Sequence, residues 1–221
     1  MRVVCVIGLS ALIACGFDHG TVPHDRIDAA EGDSGVTDGP TIDAAIDEIV
    51  VSVAANNDDA LQDPPPGAVL VSYSWMSLYT NDHWGAMRFA LPNVQPGATI
   101  VDAYLDVYFD TGSTEDDPNV AITSEASANP TALVTLNNNI SNRQRGVASV
   151  SWIAANLGSG WHRTPSLASV VQERVNYAGW APGQYVMFIF DTQGPTFEIR
   201  QRDFAPAGTY APKLTVRFVN P

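Results

Sequence analysis

The stretch TPSLASVVQERVNYAGWAPGQYVMFIFD, residues 164–191, sets one helix beside one buried strand, and the rest of the chain reads as strands able to pack against that pair. Thr164 is a good N-cap residue, and Pro165 suits the first helical position, where its missing N–H is not needed. Leu167, Val170, Val171 and Val175 recur at helical spacing, which predicts about three turns with Val171 at the centre of the buried stripe. Gly179 and Pro182 end that pattern. Tyr185-Val186-Met187-Phe188-Ile189-Phe190 follows as an unbroken apolar run of strand length, the pattern of a strand covered on both faces.

Outward from this pair the pattern is β. Residues 99–109 make the clearest strand, with Val101, Ala103, Leu105, Val107 and Phe109 on one side and Asp102, Tyr104, Asp106 and Tyr108 on the other. A slip of one residue would exchange the two sides, so the register is expected to be firmly fixed. Residues 83–91 put Met87, Phe89 and Leu91 opposite Ala86, Arg88 and Ala90, and residues 73–79 put Met76 and Leu78 opposite Tyr73, Trp75 and Tyr79. Further strands are expected at 49–53, 68–72, 120–124, near 133–135, at 147–152, 196–202 and 213–219, with 137–144 as a long polar loop. About nine or ten short strands with turn residues between them predict a sandwich or a barrel.

The two ends of the chain differ in kind. Residues 1–14 carry one Arg and an apolar run, the pattern of a short secretory signal. Leu12-Ile13-Ala14-Cys15-Gly16 resembles the lipobox of bacterial lipoproteins, which implies cleavage before Cys15, lipid attachment to it and anchoring in a membrane. Gly rather than Asp at position 16 is, in the Gram-negative lipoproteins it resembles, the usual condition for export to the outer membrane. With Cys5 in the signal and Cys15 lipidated, neither a disulfide nor a free thiol is expected in the exported domain.

Residues 16–48 hold nine acids against one base, and residues 49–221 hold fifteen acids against nine bases, within a chain of net charge −13. The acidic segment lacks aromatic residues beyond Phe17 and lacks periodicity, so residues 15–48 read as a lipidated Cys and a disordered tether reaching on the order of 30 Å, with residues 49–221 as the folded domain. Such a charge balance repels phosphates, and nucleic acid is excluded as a partner.

Four segments together resemble the DNRLRE-type modules of bacterial surface proteins: Met87-Arg88-Phe89-Ala90-Leu91, Pro96 to Leu105 (PGATIVDAYL), the helix Val170 to Asn176, and Ala211-Pro212-Lys213-Leu214-Thr215-Val216. The resemblance spans residues 50–220. It implies an all-β, jelly-roll-like antiparallel β-sandwich with one short α-helix, of a kind grouped with carbohydrate-binding modules. Ala90 stands where that family often has Asp, and Ser151-Trp152-Ile153 only loosely represents its Trp-Asn segment.

The sequence contains no Gly-x-Ser-x-Gly and no His-Glu-x-x-His, and His83 and His162, the only His in the folded part, read as packed or surface residues. Asp102 and Asp106 share a face but stand about 13 Å apart at ~3.3 Å per residue, too far for an acid/base pair on one glycosidic bond. Asp116 and Asp117 form an acidic loop that would suit a structural calcium ion but more often is simply solvated, and no other cofactor is expected. Tyr73, Trp75, Tyr79, Tyr104 and Tyr108, with acids between some of them, are the candidates for stacking on a sugar; the competing reading makes them sandwich core or rings beneath loops. Trp161 and Trp180, in Gly-flanked stretches, read as caps on the sandwich end. The expected function is a lipid-anchored, non-catalytic envelope module that binds or displays, with a polysaccharide as the first ligand class. A structural or protein-interaction module is the alternative, and a polysaccharide-active enzyme the third reading.

Overall fold

The computed structural model describes residues 45–64, 67–71, 75–78, 83–111, 119–154, 157–193, 199–202 and 209–221. Cys15, Tyr73, Tyr79, Asp116 and Asp117 lie outside these residues, as do the signal and nearly all of the acidic segment. Asp43–Pro221 forms a compact unit with its own core.

Among the described residues the strands are β1 (Asp47–Ser52), β2 (Asp59–Gln62), β3 (Val69–Leu70), β4 (Trp75–Leu78), β5 (Trp84–Ala90), β6 (Thr99–Thr111) and β7 (Asn119–Glu125). They continue with β8 (Arg145–Ile153), β9 (Gly160–Arg163), β10 (Tyr185–Gln193), β11 (Ile199–Arg202) and β12 (Lys213–Val219), and the helix α1 (Ala168–Val175) lies between β9 and β10. Sheet one has the order β1-β12-β6-β11-β4, with β9 also on β6; sheet two has the order β3-β2-β5-β10-β7-β8. Every pairing is antiparallel.

Asp106 has both Lys213 of β12 and Arg163 of β9 as Cα partners, so β12 and β9 flank opposite edges of β6. Taking β1, β5, β6, β7, β8, β9, β10 and β12 as strands 1 to 8, sheet one then reads 1-8-3-6 and sheet two 2-7-4-5. That is the strand order of a jelly roll; β2 and β3 extend sheet two beyond β5, while β11, with β4 beside it, pairs with the far end of β6.

Between the sheets, Met87, Phe89, Leu105, Phe109, Phe188, Phe190, Val216 and Phe218 form the main core, with the Phe89 and Phe188 rings edge to face at 6.1 Å. On the outer side of sheet two a smaller core joins Ala86, Met187 and Ile189 to Leu133 and Ile140 of the β7–β8 connection. The run Tyr185–Phe190 is therefore covered on both faces, because the connection folds back over the sheet. Leu133 performs this covering from irregular backbone, its N–H bonded to Asn57 O at 2.9 Å, and no strand forms at 133–135. β2, whose four residues are all buried, was not expected: Asp-Ala-Leu-Gln has no β-branched or aromatic residue to mark it.

Two further expectations are corrected. In β6, Ala103, Leu105, Val107 and Phe109 are buried as expected, but Val101 is 44% exposed and Ile100 takes the inward place. Arg217 pairs with Asp102 and Phe218 with Ile100, so Val101 is the extra residue of a β-bulge that resets the alternation. The helix is eight residues long and has Leu167, not Thr164, at its N-cap. Thr164 instead prolongs the β9–β6 pairing: its N–H donates to Leu105 O at 2.9 Å, and its Oγ1 accepts the Leu105 N–H at 3.0 Å.

The helix closes the open side of the sandwich between β6 and the β7–β8 pair. Leu167, Val170, Val171 and Val175 point into the main core. Gln172, on the face beside the buried stripe, continues the sheet edge: its Oε1 accepts the Ile100 N–H at 2.8 Å, and its Nε2 donates to Ala98 O at 2.9 Å. Arg174 is 1% exposed and donates to Glu125 O at 3.0 Å.

Candidate functional site

From Asp102 onward the alternation of β6 turns Asp102, Tyr104, Asp106 and Tyr108 to the outer side of sheet one, opposite the buried Ala103, Leu105, Val107 and Phe109. Cross-strand register supplies the neighbours on that side: Arg217 beside Asp102, Thr215 beside Tyr104, Lys213 and Arg163 on either side of Asp106, and Trp161 beside Tyr108. Of the stacking candidates, Tyr104 and Tyr108 thus lie on one face, and Trp75 is placed on β4, paired with Arg202.

The face is held together by its own contacts. The Arg163 guanidinium forks onto the Asp106 carboxylate, Nε to Oδ1 at 2.9 Å and Nη2 to Oδ2 at 3.0 Å. The same guanidinium covers the Tyr104 ring at 3.6 Å from its centroid, so that side of Tyr104 is already occupied. The hydrogen bonding to Asp106 raises the Arg163 pKa above its usual value. Ser166 Oγ donates to Asp102 at 2.6 Å, and Asp102 and Asp106 are therefore both engaged in positioning.

Beyond this pair lies an aromatic cluster. Tyr108 meets Trp161 edge to face at 5.6 Å and Tyr210 at 4.1 Å with a tilt of 32°, and Lys213 Nζ stands 5.1 Å from the Trp161 ring centroid. Trp161 is 43% exposed. Sequence reasoning read Trp161 as a cap in a Gly-flanked stretch; it sits on β9, a strand of only four residues that begins at Gly160, and the only usable signal was the alternation Trp161-His162-Arg163. Trp180, by contrast, is a buried cap, its indole N–H donating to Val94 O at 3.0 Å.

The two His residues are packed. His162 stacks on Phe109 at 4.9 Å with Nε2 2.7 Å from Gly158 O, and His83 stands 3.9 Å from Asp63. Among the described residues no three of His, Cys, Asp and Glu are grouped to hold a metal ion.

Fold and face together define a jelly-roll β-sandwich with an aromatic and charged outer sheet. No protein-family model and no curated protein matches the chain.

Proposed function

We propose that the chain is a non-catalytic module of the cell envelope, carried on a lipid at Cys15, and that the outer face of sheet one binds polysaccharide. The observation that carries this reading is Trp161: a large indole left 43% exposed on a strand, braced edge-on by Tyr108. An exposed aromatic surface beside fixed polar groups suits the apolar side of a sugar ring and the hydroxyls around its rim. Asp106, Arg163 and Lys213 supply acceptors and donors in one row next to the indole. Because Arg163 is already fixed by Asp106 and Tyr104, little side-chain freedom is lost on binding. The acidic segment keeps the domain clear of the anchoring surface, and an outer-membrane address follows from the residues around Cys15.

A glycan-array screen of residues 43–221 tests the reading. Retention on polysaccharide spots is expected, and silence across the array would overturn it. A protein-contact module is the second reading, favoured by Val147 and Ile153 on β8, which are 94% and 65% exposed. Cleavage of an arrayed glycan would select the enzyme instead.

A further inference from the structure

The polar loop after β7 forms an open groove of about 360 Å³ that does not include Trp161: its lining comes from Glu125 and from residues between 131 and 143. We propose that this groove is a second binding site, for one neutral, polyhydroxylated ring such as a single hexose unit.

The walls are built before any ligand arrives. Arg143 Nε donates to Asn139 O at 3.0 Å, Nη1 to Glu125 Oε2 at 2.5 Å and Thr131 O at 3.1 Å, and Nη2 to Ala132 O at 3.2 Å and Asn139 Oδ1 at 3.1 Å. These five bonds match the five N–H donors of a guanidinium, so Arg143 is spent entirely on fixing the loop. From below, Gln62 Oε1 accepts the N–H groups of Ile140 and Ser141, each at 2.9 Å, while Ile140 is buried in the smaller core. Asn138 is held at φ 61° with its N–H on Gly67 O at 2.8 Å, a backbone region that Asn tolerates better than most side chains.

What this frame presents is neutral and rich in amides. Glu125 and Arg143 cancel one another's charge, so an ionic ligand would gain no net attraction. The side-chain amides of Asn137, Asn138 and Asn142 make no hydrogen bond among the described residues. Each amide offers donors and an acceptor side by side, which matches a hydroxyl, itself donor and acceptor, and matches vicinal hydroxyls best. Leu136, 67% exposed at the rim, gives an apolar wall for the C–H side of a ring. The volume falls at the small end of the about 300–1,000 Å³ usual for ligand pockets, which limits the occupant to a small molecule or the end of a chain.

The test is NMR titration of ¹⁵N-labelled residues 43–221 with methyl α-glucoside, methyl α-galactoside and methyl α-mannoside, each separately. One of the three is expected to shift the side-chain amides of Asn137 and Asn142 saturably while leaving the Trp161 indole N–H in place. Asn137→Ala and Asn142→Ala, both at exposed positions, should each weaken that binding about tenfold with unchanged unfolding midpoints. Trp161→Ala should leave it unchanged, so this site and the face of sheet one fail or stand separately. No saturable shift at these amides with any of the three glycosides, or full binding by both Asn variants, would overturn the proposal.

Discussion

The Glu173 carboxylate on α1 accepts the Ala148 N–H of β8 at 2.7 Å through one oxygen, while the other takes the neighbouring Val147 N–H at 2.9 Å. β8 is the edge of sheet two, and an edge strand with free N–H groups is a template for unwanted pairing. Here the β7–β8 ladder shifts register between Thr123 and Glu125, and the helix fills the interruption with one acid. That acid also stands 2.5 Å from the buried Arg174 guanidinium. A strand edge, a helix and a buried cation thus share one carboxylate.

Burial pushes the Glu173 carboxyl up, but the Val147 and Ala148 N–H groups and the Arg174 charge outweigh it and hold its pKa below the ordinary value. A depressed folded-state pKa contributes stability that is present above the unfolded pKa, about 4.3, and is lost as pH falls through the folded value. Urea titrations should therefore show the wild-type midpoint falling on acidification below about pH 4.3. Glu173→Gln should be weaker by about 2 kcal/mol at neutral pH and should fall less on acidification. Equal acid slopes would assign the loss to other carboxylates.

Val171 is fully buried and Gln172 bridges to the start of β6, so substitution should be costly at both positions, though for different reasons. Val171→Asp places an unpaired carboxylate in the core and should cost several kcal/mol out of about 5–15. Gln172→Ala leaves the Ile100 N–H and Ala98 O without their partner and should cost about 1–2 kcal/mol. Denaturant midpoints of residues 43–221 measure both, and an unchanged Gln172→Ala would remove the edge-bridging role.

Gly67 has φ +81°, and an added Cβ would run into the Asn138 side chain. Gly67→Ala should therefore destabilise by about 1–3 kcal/mol through backbone strain and that collision. A thermal midpoint equal to wild type would show that the loop moves aside without cost.

The helix stripe, the two-sided strand at 185–190 and the outward set Tyr104, Asp106 and Tyr108 were legible because each depends on local period alone. The bulge at Val101 was not, since an extra residue is visible only against the partner strand that lacks it. Thr164 satisfies every local rule for an N-cap, yet the edge of β6 competes for its N–H and hydroxyl and wins. Trp161 was missed for the same kind of reason: four residues that begin at Gly160, just after Gly158-Ser159, do not read as a strand until β6 is there to pair them. Sites assembled from register across three strands leave little trace in any one of them.

The proposed envelope address rests on Cys15. Cys15→Ser should abolish labelling by a fatty-acid probe in cells and prevent lipoprotein-type processing of the precursor. Continued labelling of the variant would show that the lipid is carried elsewhere or that the residues around Cys15 are not read as a lipobox.

The polysaccharide-binding face is the central claim, and affinity electrophoresis tests it most directly. Wild-type residues 43–221 and Trp161→Ala are run side by side through native gels cast with a panel of soluble polysaccharides. Removing an exposed ring should leave the fold intact, so the two should migrate alike in a blank gel. The account predicts that at least one polysaccharide retards the wild type and that Trp161→Ala passes through it as through the blank. A wild type that no polysaccharide retards, or a variant retarded as strongly, would contradict it.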